Sequence, residues 1–232
     1  MRRWIQCCIP LWIVMLVAAS TTTAFAEGFK LTTEEKAPPE DVRTDVTDHL
    51  NPTVHLISGE GDPFFEFWFA KSVDISKAAT TMKDLIENLD EIALLGLLVV
   101  HDNEERADFR DDIIDPGTYV MRMCLQPQDG NHMGTSPYET FALLIIQDRD
   151  EEAVGYDDPI DMADIAAEHT AAEHPPILAF QPLEDPEGEY PRLTKHEDEE
   201  WHYLAIQFPA TIEGEESKMS VNIVFEGIGD IE

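Results

Sequence analysis

Residues 126–138, QPQDGNHMGTSPY, hold the side chains whose types and spacing come nearest to a chemical site. Asp129, Asn131 and His132 cluster around Gly130, Met133 follows, and Tyr138 closes the segment. An imidazole titrates near neutral pH, so Asp129 and His132 have the makings of an orienting group and a base. His132 with the thioether of Met133 also matches the ligand types that copper takes. Arg122, just upstream, can pair with a carboxylate. Arg122, Asp129, Asn131, His132 and Tyr138 are therefore the candidate ligand-binding residues, and His132 and Met133 the candidate metal ligands. A structural reading stays open beside these. Asp129 and Asn131 can bond to the amides of their own loop, His132 can simply pack, and Met133 and Tyr138 can pin the loop to the body.

Other groupings point to chemistry less directly. His169 and His174 lie five residues apart in a helical stretch, about 140° around the axis, whereas a helical ligand pair needs a spacing of three or four. The acidic clusters at 148–152 and 197–200 offer oxygen ligands for calcium, but neither has the alternating ligands and central glycine of a calcium loop. No G-x-S-x-G, H-E-x-x-H, C-x-x-C or phosphate-cradling glycine loop is present, so catalysis is not the expected role.

The 126–138 segment joins two strand-like runs, 118–125 and 141–147, with far more residues than a hairpin needs, and connections of that length are commonly functional. Further runs rich in aromatic and β-branched residues lie at 53–57, 64–73, 92–100, 203–208 and 219–225. Seven such runs predict a mainly β fold, an antiparallel sandwich of immunoglobulin-like or related type. In the second run Phe65, Phe67 and Phe69 alternate with Phe64, Glu66, Trp68 and Ala70, so both faces of a central strand would be covered and Glu66 would need a partner. Asp115-Pro116-Gly117-Thr118-Tyr119 has the form of a tyrosine corner, although Met121 stands where an immunoglobulin domain has its cysteine. Two accessory helices are expected. One carries Met82, Leu85, Ile86 and Leu89 on one face with Ser76 as a cap, and the other begins with Asp158-Pro159 and stops before Pro175-Pro176.

Residues 1–26 read as a secretory signal peptide: Arg2 and Arg3, an apolar stretch too short to span a bilayer, and an Ala24-Phe25-Ala26 ending. Cleavage there predicts an exported chain, periplasmic or extracellular, with no membrane span. It takes away two basic groups and no acidic one, so the formal charge moves from −33 to −35. With 48 acidic against 15 basic residues, a nucleic-acid partner is excluded, while 43% apolar residues suffice for a core. Salt, or calcium, would suit such a surface. Cys7 and Cys8 leave with the signal, and Cys124, flanked by Met123 and Leu125, is expected to be buried. Residues 27–52, charged and proline-bearing, are expected as a loosely packed acidic arm, and residues 53–232 as one β-rich domain.

The segments FEFWFAK at 65–71, PGTYVMR at 116–122 and LQPQDGNHMG at 125–134, followed by the apolar strand at Phe141, resemble a family of exported bacterial proteins with no assigned activity. The resemblance covers roughly residues 53–225 and implies export and a shared loop. It implies no catalytic assignment. The expectation is thus an exported, non-catalytic binding or interaction module of unknown ligand or protein partner. The alternative is a periplasmic metal-binding protein, for copper or a similar metal, or a metal-dependent enzyme built on the 126–138 loop.

Overall fold

The computed structural model describes residues 22–26, 28–75, 93–102, 105–125, 140–151, 159–168, 174–181, 183, 188–196 and 200–229. They form twelve strands and two short helices: β1 (Thr22–Ala26), β2 (Phe29–Glu35), α1 (Thr44–Thr47), β3 (Leu50–Ser58), β4 (Pro63–Ala70), β5 (Val73–Ile75), β6 (Leu94–Val100), β7 (Gly117–Leu125), β8 (Thr140–Ile146), α2 (Pro159–Ala167), β9 (Ile177–Gln181), β10 (Arg192–Lys195), β11 (His202–Ile212) and β12 (Glu215–Glu226).

Hydrogen bonding runs without a break in the order β1-β2-β3-β4-β6-β7-β8-β9-β12-β11-β10, all antiparallel, and β5 adds parallel to the far half of β11. The two ends of this path, β1 and β10, come close without forming a ladder, so the sheet nearly closes into a barrel. The mainly β, antiparallel expectation therefore holds, and a division into the two sheets of a sandwich is not established by this pairing. The narrowest link is β9, which pairs through Ile177, Leu178 and Ala179 with β8 but through only Phe180 and Gln181 with β12.

Alternation along the strands sorts side chains to two sides. Phe65, Phe67 and Phe69 of β4 join Leu31, Ile57, Tyr119, Met121, Leu144, Phe180 and Ile223 in the main core. On its other face Trp68 packs with Val54, Leu97 and Val120 under Val42 and Val46. The central-strand expectation for β4 is met. Glu66 is buried there and has its partners: Lys36 Nζ lies at 2.5 Å and His101 Nε2 at 2.9 Å. Gly96 of β6 has a local cause as well. A Cβ there would lie 2.2 Å from the Trp68 carbonyl oxygen, and the register shift between Leu94 and Gly96 occurs at this close approach.

Each of the seven apolar runs contains most of a strand or lies in one, although Lys71 and Ser72 separate β4 from β5 within the second and Gln147 falls in the turn after β8. Tyr119 makes the expected corner, its hydroxyl donating to the Asp115 carbonyl at 2.7 Å, and burial followed by the Asp115 charge pushes the phenol up to about 12. Pro159 opens α2 as expected; Met162 and Ala166 cover Cys124, Phe141, Leu143 and Ile145. The expected helix through Met82 and Leu89 lies outside the described residues.

Residues 27–52 require a correction. Rather than a loosely packed arm, their described part contributes β2, paired from Lys30 to Glu35 with β3, and α1, whose Val46 is buried. Leu31, Val42 and Val46 each bury their side chains, and Trp68 Nε1 donates to the Lys36 carbonyl at 2.8 Å. The fold therefore begins well before Thr53. The apolar residues here are few, but each lands on a face that needs covering.

Candidate functional site

Across β9, β12, β11 and β10, four strands wide, the register aligns Phe180, Ile223, Leu204 and Leu193 in one row, all part of the core. The next row, Gln181, Asn222, Ala205 and Arg192, points to the opposite side because neighbours along a strand alternate. Tyr203 and Thr194, themselves paired, lie on that same side. A polar patch is thus laid over an apolar layer, with the small Ala205 between the amides and the guanidinium.

This patch lines a cavity of about 860 Å³ at the open seam of the sheet. Thr22, Thr23 and Ala24 of β1 and Leu31 and Thr33 of β2 supply one wall, and the segment from Gly188 to His196 supplies another. Gln181, Asn222 and Tyr203 complete the lining.

Gln181 is the informative member. It is 6% exposed, and among the described residues its Nε2 has no hydrogen-bond partner. A buried amide donor left unsatisfied costs about 1–3 kcal/mol, so native proteins rarely keep one without a use for it. Arg192 Nη1 donates to the Glu189 carbonyl at 3.2 Å, and its guanidinium lies 4.9 Å from the centre of the Tyr190 ring. Lys195 Nζ is 3.3 Å from Glu200, whose carboxylate is 91% exposed, so that pair is a weak, solvent-screened one. The His196 ring packs against Trp201 and Tyr203, and its backbone N–H donates to the Trp201 carbonyl at 2.9 Å.

Among the described residues the charged side chains of the lining are Arg192, Lys195 and Glu189. Chemically the cavity offers donors from two amides and two cations, with ring faces beside them.

Of the residues singled out from sequence, Arg122 is described and Asp129, Asn131, His132, Met133 and Tyr138 lie outside the described residues. The carboxylate that Arg122 meets belongs to its own chain. Nε lies 3.0 Å from Asp150 Oδ2 and Nη2 lies 2.9 Å from Oδ1, and both side chains are fully buried. Arg43 donates to the Asp150 carbonyl, which ties the segment before β3 to the same point. Cys124 is buried as expected, and burial raises its thiol to about 11, which keeps it protonated and unreactive. His169 lies outside the described residues, so its separation from His174 is not described. Among the described residues no three His, Cys, Asp or Glu side chains gather in a metal-binding group.

The cavity was not foreseen from sequence. Its key strands are only five and four residues long, set in proline-rich, acidic surroundings, and the one local sign is Leu193 between the polar Arg192 and Thr194. Comparison with protein-family models, curated proteins and solved structures finds no match for the chain. The resemblance carried by residues 53–225 gains no support from them.

Proposed function

We propose that this protein is an exported, non-catalytic binding module that takes a small polar ligand into the seam cavity, against the lining from β2, β9, β10, β11 and β12 that lies outside the signal-like residues 1–26. The observation that carries the proposal is the buried Gln181 amide, short of an acceptor, in a cavity whose volume falls in the range of roughly 300–1,000 Å³ usual for small-molecule sites. A ligand oxygen would supply that acceptor. The signal-like residues 1–26 support export, and the absence of a nucleophile motif favours binding over turnover.

The test is a melting-temperature screen of the full chain, and of the chain beginning at Glu27 that the expected cleavage leaves, against small polar compounds, each repeated with Gln181→Leu. A compound that raises the melting temperature of the native chain, and does so much less for a folded Gln181→Leu variant, supports the reading. A screen with no stabilising compound, or one whose hits ignore Gln181, sinks it. Metal analysis of the same preparations separates the alternative: a stoichiometric transition metal lost in His132→Ala would move the site to residues 126–138.

The tyrosine corner and the narrow β9 link also support relating this sheet to the sandwich class, dividing at β9. Inter-strand contacts between β9 and β12 in solution spectra decide this: their absence supports two sheets, and their presence supports one.

A further inference from the structure

The expected cleavage after Ala26 empties the place that β1 holds in the sheet. We infer that in the processed protein this place accepts an extended segment of a partner polypeptide, one with small apolar side chains at alternate positions. The inference rests on the export and cleavage in the reading above and is independent of the small ligand.

β1 pairs from Thr22 to Ala26 with Thr33 to Phe29 of β2, without a register shift. A cut after Ala26 severs this ladder from the chain, and alternate backbone groups of Phe29–Thr33 lose their partners. β3 still holds the other side of β2, so the freed edge remains anchored in the sheet. That edge has no proline, shows no bulge toward either neighbour and carries one charge, Lys30. It therefore lacks most of the devices that keep an edge from recruiting a strand. The space left is a slot, because β1 lies between β2 and β10, and β10 pairs with β11 but makes no ladder with β1.

The side chains that β1 covers define what can fill the slot. Residues directly opposite in a ladder share a face, so Ala26 and Ala24 stand on the same side as Phe29 and Leu31. Leu31 belongs to the main core, and Phe29, Ala24 and Ala26 pack against it. The Phe29 ring lies 5.2 Å from that of Phe225 and 6.0 Å from that of Phe64. Once β1 is gone this apolar surface is uncovered, and burial favours a strand that covers it again. Opposite the large Phe29 and Leu31 the native strand carries alanine both times, which sets the requirement on the partner: small apolar residues two apart. Thr23, on the other face, is exposed, so that side of the strand tolerates polar residues. In such an addition main-chain hydrogen bonds supply affinity and the alternate side chains supply specificity.

The test uses the chain that a bacterial host exports from the full-length precursor, its N-terminus read by intact mass, with the synthetic peptide STTTAFA, the sequence of residues 20–26, as probe. A product beginning at Glu27 is expected to bind the peptide, with a rise in melting temperature. The amides of Phe29–Thr33 that faced β1 are expected to exchange at least about ten-fold more slowly at saturation. Peptides carrying Ala24→Asp or Ala26→Asp are expected to bind at least about ten-fold more weakly, and one carrying Thr23→Gln within about two-fold. The unprocessed chain, whose own β1 competes at an effective concentration of about millimolar, is expected to bind the peptide at least about ten-fold more weakly. An exported chain that keeps residues 22–26 would overturn the inference, as would one that does not bind the peptide or binds it regardless of the alanines. So would β2 amides already protected without peptide, because β10 or a second copy has closed on them, or a chain that neither melts cooperatively nor gains a melt with peptide. In each of these cases the seam-cavity reading is decided separately by the melting screen, and failure of that screen alone leaves this inference standing. A chain that is not exported sinks both.

Discussion

Arg122 and Asp150 are closed off from solvent with their charges facing each other, and neither can lose the other cheaply. A charge left alone in such a place keeps its desolvation cost without the compensating attraction. Arg122→Met is therefore expected to lower stability by about 3–5 kcal/mol in denaturant melts, and Arg122→Met with Asp150→Leu to recover much of that. A single variant as stable as the parent would show that water reaches the pair. His55 is the second sensitive residue. Burial lowers its ring to about 4 from an ordinary 6.5, with Thr33 Oγ1 3.0 Å from Nδ1. Between those values the unfolded chain binds a proton that the folded chain does not, so folding loses stability as pH falls from about 6.5 to about 4, and nothing from this group above 6.5. The slope contributed there is on the order of 1 kcal/mol per pH unit. Melts of the parent and of His55→Gln from pH 7 to pH 4 read it as a difference, and parallel curves would exclude His55 as the cause. At this scale the need for partners was legible. Glu66 in an apolar run and Arg122 among apolar neighbours each demanded an opposite charge, whereas the identity of Lys36, His101 and Asp150 depends on contacts across 28 or more residues.

At the level of elements, β1 is the strand most exposed to the expected processing. It pairs from Thr22 to Ala26 with β2, and Ala26 is the residue after which the signal would be cut. Processing there would take away the β1 wall of the cavity and free one edge of β2, while β3 still holds the other from Lys30 to Glu35. Hydrogen exchange comparing the full chain with one beginning at Glu27 is expected to show faster exchange of those β2 amides that face β1 and little change in β4 or β7. Unchanged β2 amides would mean that β1 contributes no protection. The strands read directly from sequence were those with an almost uninterrupted apolar run, such as β4 and β6, because burial on both sides demands such a run. β2 was missed because Phe29 and Leu31 alternate with Lys30, Thr32 and Glu34 in a proline-bearing acidic stretch that resembles an arm. β9 and β10 were missed because short strands get their definition from neighbours, β9 from β8 and β12 and β10 from β11.

For the molecule as a whole, 48 carboxylates around an apolar core repel one another wherever salt does not screen them. The melting temperature is expected to rise with sodium chloride and to level off once the screening length falls to about 8 Å, near 0.15 M. A melting temperature flat from low salt upward would mean that the charges are already compensated by the ion pairs and by their spacing. Sequence alone determined the acidic surface, the β-rich class, the seven main strands, the tyrosine corner and the burial of Cys124. These follow from composition and from patterns a few residues long, where local sterics and burial act directly. Tertiary structure alone decided that the sheet runs nearly to closure, that residues 29–35 belong to it, and that Gln181, Asn222, Arg192 and Lys195 share one cavity. Those facts rest on register between strands far apart in the chain, and a row such as Gln181-Asn222-Ala205-Arg192 has no counterpart in any stretch of sequence. A site made of such a row becomes visible only when the ladder that aligns it has formed.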